Sequence, residues 1–200
     1  MTGMRLVRGP VAAIRAYMAH PDPLVALANV VALLVASNQP FYPLYLYFLV
    51  SERIEPSFYT FLSTPFFLAV PALARINTLA GRALLPLAGI GNTILCAWLF
   101  GVQSAVEIFL IPCAVLALLL FRPRERLVGL AVAGFAFLAF LFLHGRYGAP
   151  VVAYDPVQYH ALVRLNAMSA AALTCFVALA FSNLLAAAEA SRKPAADRDG

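Results

Sequence analysis

Six long stretches, 24–50, 57–74, 83–100, 105–121, 127–143 and 161–188, are built almost wholly from apolar residues, and nothing else in the chain limits its fold so severely. About 17 to 25 such residues cross the hydrocarbon layer as a helix. Each stretch reaches that length. Inside lipid no water serves the backbone, so every N–H and C=O must bond within the protein, which only helices and closed barrels achieve. No stretch alternates apolar and polar residues as a barrel strand does. Hydrophobic residues make up 63% of the chain and charged residues 12%, against about 25% charged in an ordinary soluble domain. The expectation is an all-α polytopic membrane protein. Its six-helix transmembrane bundle occupies 24–188, after a basic leader at 1–23 and before a small, polar, unstructured tail at 189–200. Four of the five connections are short, which predicts that successive helices pack as antiparallel neighbours.

The charge pattern orients such a bundle. Eleven of the basic residues, among them Arg75, Arg82, Arg122, Arg124 and Arg126, fall on one side of the six-span reading, and three, Arg53, Arg146 and Arg164, on the other. Excess Lys and Arg mark cytoplasmic segments, so both termini are expected in the cytoplasm. A cleaved leader ending near Val35-Ala36-Ser37 competes with this reading. It would leave five spans with the same charge bias, yet the apolar run resumes through Val50. The net charge of +5 does not point to nucleic acid, because no segment is long enough to form a soluble basic module.

Outside the spans, "VAAIRAYMAH" sets Val11, Ile14 and Met18 on one helical face, the pattern of a short helix lying in the membrane interface. A loose basic leader that only sets topology fits equally well. The connection 144–164 holds Tyr147, Tyr154 and Tyr159 and is expected to rest against the outer leaflet through them. Cys96, Cys113 and Cys175 all fall inside spans and read as buried apolar thiols.

Polar residues within the spans carry what functional signal there is. In "VASNQPFYPLYLYFLV", Asn38, Tyr42 and Tyr45 share one helical face, with Gln39 and Pro40 between them. Pro40 removes a ladder donor, so a kinked first span with an inward polar stripe is expected. This stripe and Asn92 in the third span are candidates for a ligand site or a hinge, or for hydrogen bonds that hold helices together. Gly89, Thr93 and Ala97 form a ridge of small residues at i+4 spacing, fit for close helix approach. Asn166, Ser169 and Asn183 lie on a seam of the sixth span with steps of three and four. The nearly all-apolar fifth span, with Phe135, Phe137, Phe140 and Phe142, is expected to be the most lipid-exposed.

Familiar catalytic patterns are missing. No acid falls at mid-span for a proton relay. There is no HExxH, no phosphate-binding glycine loop and no GxSxG turn. Glu107, His144, Arg146, Tyr147, Asp155 and His160 make up the polar outer face, with no metal-ligand spacing among them. No catalytic residue and no cofactor is therefore assigned.

The segments "NQPFYPLYLYFL", "LLPLAGIGNTILCAWLFG", "LFRPRER" and "LHGRYGAP", set in short-looped helices with cytoplasmic ends, resemble the six-helix membrane domains that precede class III adenylate cyclase or histidine kinase modules in proteobacteria. The resemblance covers about 24–188. It implies a multi-pass protein of the bacterial inner membrane, a non-catalytic sensor of a lipid-like or outer-face ligand that relays it through the sixth helix. Membrane lipids and a homodimer or membrane-bound signalling partner are the partners implied. A small transporter or channel, or an accessory subunit of a membrane complex, are the alternatives.

Overall fold

A computed structural model describes residues 3–196 of the chain, with side-chain environments for 9–190. Nine α-helices and several 3-10 turns make up the described residues, which contain no strand. Helix α1 (Gly3–Met18) precedes α2 (Pro23–Asn38); a 3-10 turn at Gln39–Phe41 then leads into α3 (Tyr42–Leu49). Short α4 (Glu55–Phe58) and a 3-10 turn feed α5 (Thr64–Ile76), followed by α6 (Thr78–Phe100). Two 3-10 turns open α7 (Leu110–Leu119), a third opens α8 (Arg126–Leu143), and α9 (Pro156–Ala196) is the longest helix.

Five helical segments are long and apolar enough to cross a membrane: Pro23–Leu49, Glu55–Ile76, Thr78–Phe100, Pro123–Leu143 and Pro156–Ala190. The chain is an all-α, multi-pass membrane protein. The expected span at 105–121 is shorter, an apolar helix over Val106–Leu119. It contracts because the chain leaves α6 through Gly101 (φ 79°) and Ala105 (φ 52°), and these left-handed turns carry it beneath the connection 144–155 before α7 begins. The 3-10 turn before α7 and the turn after it nevertheless touch opposite ends of the helix bundle. Glu107, in the 3-10 turn that leads into α7, meets His144 at the start of the 144–155 connection, and the carbonyl of Leu120, just past the last turn of α7, accepts from Arg82 near the start of α6.

Two ends of the bundle follow from these contacts. At the basic end Asp22 caps α2 and pairs with Arg122 at 2.8 Å. There Tyr17 of α1 donates to the Leu68 carbonyl, and the Arg75 guanidinium lies 5.0 Å from the Tyr17 ring. Val11 and Ile14 point away from the bundle and are exposed. At the opposite end the connection 144–155 folds back as a cap. Tyr154 is buried, donates to the Arg53 carbonyl at 2.8 Å and stacks on Phe100. Tyr159 reaches the Phe100 carbonyl at 3.3 Å. These tyrosines thus turn inward onto the bundle instead of lying on the leaflet, since each hydroxyl finds a free carbonyl there.

Sequence and structure differ in three further places. Helix α9 continues to Ala196, through most of the expected tail; residues 197–200 lie outside those described. Cys175 is exposed, whereas Cys96 and Cys113 are buried. The most lipid-exposed span is α9: 11% of its most apolar stretch is covered, against 28% for α8. Small residues on α8, Gly129, Ala133 and Ala136, bury one stripe against α7, while α9 touches the bundle along a narrower seam.

Candidate functional site

The site begins with the break in the first span. Pro40 and Pro43 each lack an amide proton, and the chain answers by tightening: the Tyr42 N–H bonds to the Gln39 carbonyl in a 3-10 turn before α3 resumes. The turn aims Gln39 into the bundle. Its Nε2 donates to the Thr60 carbonyl at 3.1 Å and to Ser63 Oγ, and its Oε1 accepts from Thr64 Oγ1 at 2.6 Å. Ser63 Oγ also lies 2.8 Å from both the Thr60 carbonyl and Asn92 Oδ1. One hydroxyl proton faces two acceptors there, so Asn92 is the loosely held member of the network. Gln39 is fully satisfied and works as an interhelical tie.

Beside this network lies a cavity of about 710 Å³. Its walls come from the first span, α5, α6, α7 and α9. Of the residues singled out on the first span, Asn38, Gln39, Tyr42 and Tyr45 line it, and Pro40 does not; Asn92, Gly89, Thr93, Asn166 and Ser169 line it too. Asn38 and Tyr45 sit at the rim and are exposed, their side chains 3.5 Å apart. The expected inward stripe therefore splits, with Gln39 and Tyr42 inside and Asn38 and Tyr45 at the mouth. Helix α3 starts from a 3-10 turn, so 3.6-residue spacing does not carry across the break. Ala97 is buried in the cap-end core, and Asn183 is exposed farther along α9.

The mouth opens sideways. Among the described residues, the lining positions that are also exposed, Leu34, Asn38, Tyr45, Leu49, Met168 and Ala172, belong to the first span and α9 only. Among the described residues, none that lines the cavity carries charge. Gly89 brings α6 close to α7: a Cβ there would sit 2.6 Å from Cys113 Sγ. At the apolar end Phe67, Leu85, Leu116 and Phe176 form the walls. The chain matches no protein-family model and no curated protein.

The polar residues expected on the outer face do not form one cluster. Glu107 is only 6% exposed, and its Oε2 meets His144 Nδ1 at 2.6 Å beside a smaller hollow of about 440 Å³. Glu107 Oε1 and the Tyr147 hydroxyl both lack a hydrogen bond, yet burial and the Glu107 carboxylate push the Tyr147 phenol up to about 12. Asp155 serves α9 instead, accepting from the Gln158 N–H at 2.8 Å while Gln158 Oε1 accepts from the Asp155 N–H, a reciprocal cap. Arg146 and His160 are exposed. Among the described residues, no three His, Cys, Asp or Glu side chains lie close enough to hold a metal ion.

Sequence reasoning passed over the second span's hydroxyls. Thr60, Ser63 and Thr64, at i, i+3 and i+4 in an otherwise apolar stretch, mark one helical face, and that spacing was the available signal. Arg82 was also missed as a structural residue: it is 1% exposed, beneath the turn after α7.

Proposed function

We propose that this protein is a non-catalytic sensor or regulatory module of a membrane, which admits a lipid-like molecule into the cavity and reports it through α9. The observation that carries the reading is the lateral mouth between the first span and α9. A ligand from the bilayer enters there without crossing water, and α9 is the wall held least firmly by the rest of the bundle. Occupancy therefore shifts α9 more readily than any other wall. At 41 residues, or roughly 60 Å, α9 is about twice as long as the hydrocarbon layer is thick, so its movement reaches beyond the bilayer. In this reading α7 completes a sixth crossing, and the basic end faces the cytoplasm. The resemblance to proteobacterial sensor domains supports the bacterial inner membrane as its location.

The bare face of α9 favours a second role for the same helix. Met168, Leu179 and Leu185 are exposed along it and offer a packing surface to a second copy or to a membrane-bound signalling partner, in which case the chain is also an accessory subunit. A through-channel has less support, because Leu46, Phe100 and Tyr154 form an apolar core at the cap end.

Native mass spectrometry from mild detergent, combined with pulsed electron spin resonance between labels at Ile76→Cys and Leu185→Cys in a Cys175→Ala background that removes the exposed native thiol, tests the sensing role. Wild-type protein is expected to carry a lipid-sized molecule that Ala172→Trp, which fills the mouth, excludes. Stripping that molecule is expected to change the label separation. A molecule that persists in Ala172→Trp, or a separation indifferent to stripping, overturns the proposal.

A further inference from the structure

We infer that the cavity selects an uncharged lipid alcohol, a single chain or ring system with a free hydroxyl seated toward the cap end; the inference rests on the sensing role proposed above. Three observations converge on it. First, the absence of charge from the lining excludes an ionic headgroup, which would lie unpaired in an apolar enclosure. Second, the lining contains two buried polar atoms of complementary kind that have no partner, the Tyr42 hydroxyl and Asn166 Oδ1. Asn166 is 1% exposed, and its Nδ2 is already committed to the Ser104 carbonyl at 2.9 Å. That bond leaves Oδ1 as a pure acceptor in want of a donor. Tyr42 offers a donor in want of an acceptor. A hydroxyl supplies both, whereas a ketone, ester or ether only accepts.

Third, polarity is ordered along the cavity. Phe67, Leu85, Leu116 and Phe176 belong to the apolar cluster that reaches Leu120 at the basic end, while Tyr42 packs against the cap-end core around Phe100 and Asn166 bonds to the Ser104 carbonyl. An amphiphile is thereby given a direction, tail toward the basic end and hydroxyl toward the cap. The volume of about 710 Å³ falls within the roughly 300–1,000 Å³ of small-molecule sites, which suits one chain or ring system.

Radiolabelled hexadecanol, hexadecyl methyl ether and palmitate, each offered to the full chain in nanodiscs, test the assignment. Hexadecanol is expected to bind at least about tenfold more tightly than either of the others, as one lost buried hydrogen bond implies. Asn166→Leu is expected to abolish the gap between alcohol and ether. Tyr42→Phe, which keeps shape and so guards against a folding artefact, is expected to weaken alcohol and ether alike. Equal binding of alcohol and ether by the wild type, no binding by any of the three, or binding unchanged in Tyr42→Phe overturns the assignment. The spin-label separation distinguishes its failure from that of the sensing role. If ether or palmitate binds as well as alcohol and moves α9, sensing stands and the hydroxyl assignment falls; if alcohol is preferred and α9 stays still, the reverse holds.

Discussion

Arg82 shows what one buried side chain holds together. Its guanidinium is almost wholly enclosed, donates to the Thr78 and Leu120 carbonyls at 3.1 and 2.7 Å, and forks onto the Glu125 carboxylate at 2.8 and 3.0 Å. One residue of α6 thus satisfies a carbonyl left open just past the end of α7 and anchors the turn into α8. Removing one partner of a buried pair strands the other, at a typical cost of about 3–5 kcal/mol. Arg82→Ala is accordingly expected to lower stability by about that amount in detergent denaturation followed by helical circular dichroism. The double variant Arg82→Met, Glu125→Leu is expected to recover most of the loss, because no charge is left uncompensated. Recovery no better than Arg82→Ala alone would show that the carbonyl bonds, not the ion pair, hold the turn. In the sequence Arg82 was legible only as one more basic residue on the cytoplasmic side; charge counting assigns a side of the membrane but not a depth within the protein.

At the scale of elements, the first span and α9 set the shape of the cavity. An interior proline costs a helix about 3 kcal/mol or more, and Pro40 sits in mid-span where the chain tightens into its 3-10 turn. Pro40→Ala is therefore expected to leave stability unchanged or raise it, while straightening the span, moving Tyr42 and the rim, and weakening hexadecanol binding about tenfold or more. Stability gained together with binding lost is the mark of a strained element kept for function. If binding is retained, the break does not shape the site. The break itself was legible, since the prolines and amides announce it. How the polar face divides around it was not, because a 3-10 turn rotates successive side chains differently from an α-helix. The exposure ranking of the spans was not legible either. The phenylalanines of α8 suggested a lipid face, but coverage depends on which helices lie alongside, and only the small residues at 129, 133 and 136 hint that α8 packs closely.

For the whole molecule, the open question is the number of crossings, and α7 decides it. By length Val106–Leu119 falls short of a typical span, yet its two ends contact opposite ends of the bundle. A helix that is locally too short spans where the bilayer thins around it or where protein covers its ends, and the folded cap over Val106 supplies such cover. Only with that crossing do the basic residues divide 11 to 3; without it the turn holding Arg122, Arg124 and Arg126 would share a side with Gln103. Exposed positions 103, 124 and 151 make this measurable. With Cys175 replaced by Ala to remove the exposed native thiol, Gln103→Cys and Val151→Cys are expected to react with a membrane-impermeant maleimide in intact cells. Arg124→Cys is expected to react only after lysis. Labelling of positions 103 and 124 from the same side would reduce the bundle to five crossings. Position 151 would then decide which end faces out, because the cap that carries it closes the cavity and fixes which leaflet the ligand's hydroxyl approaches.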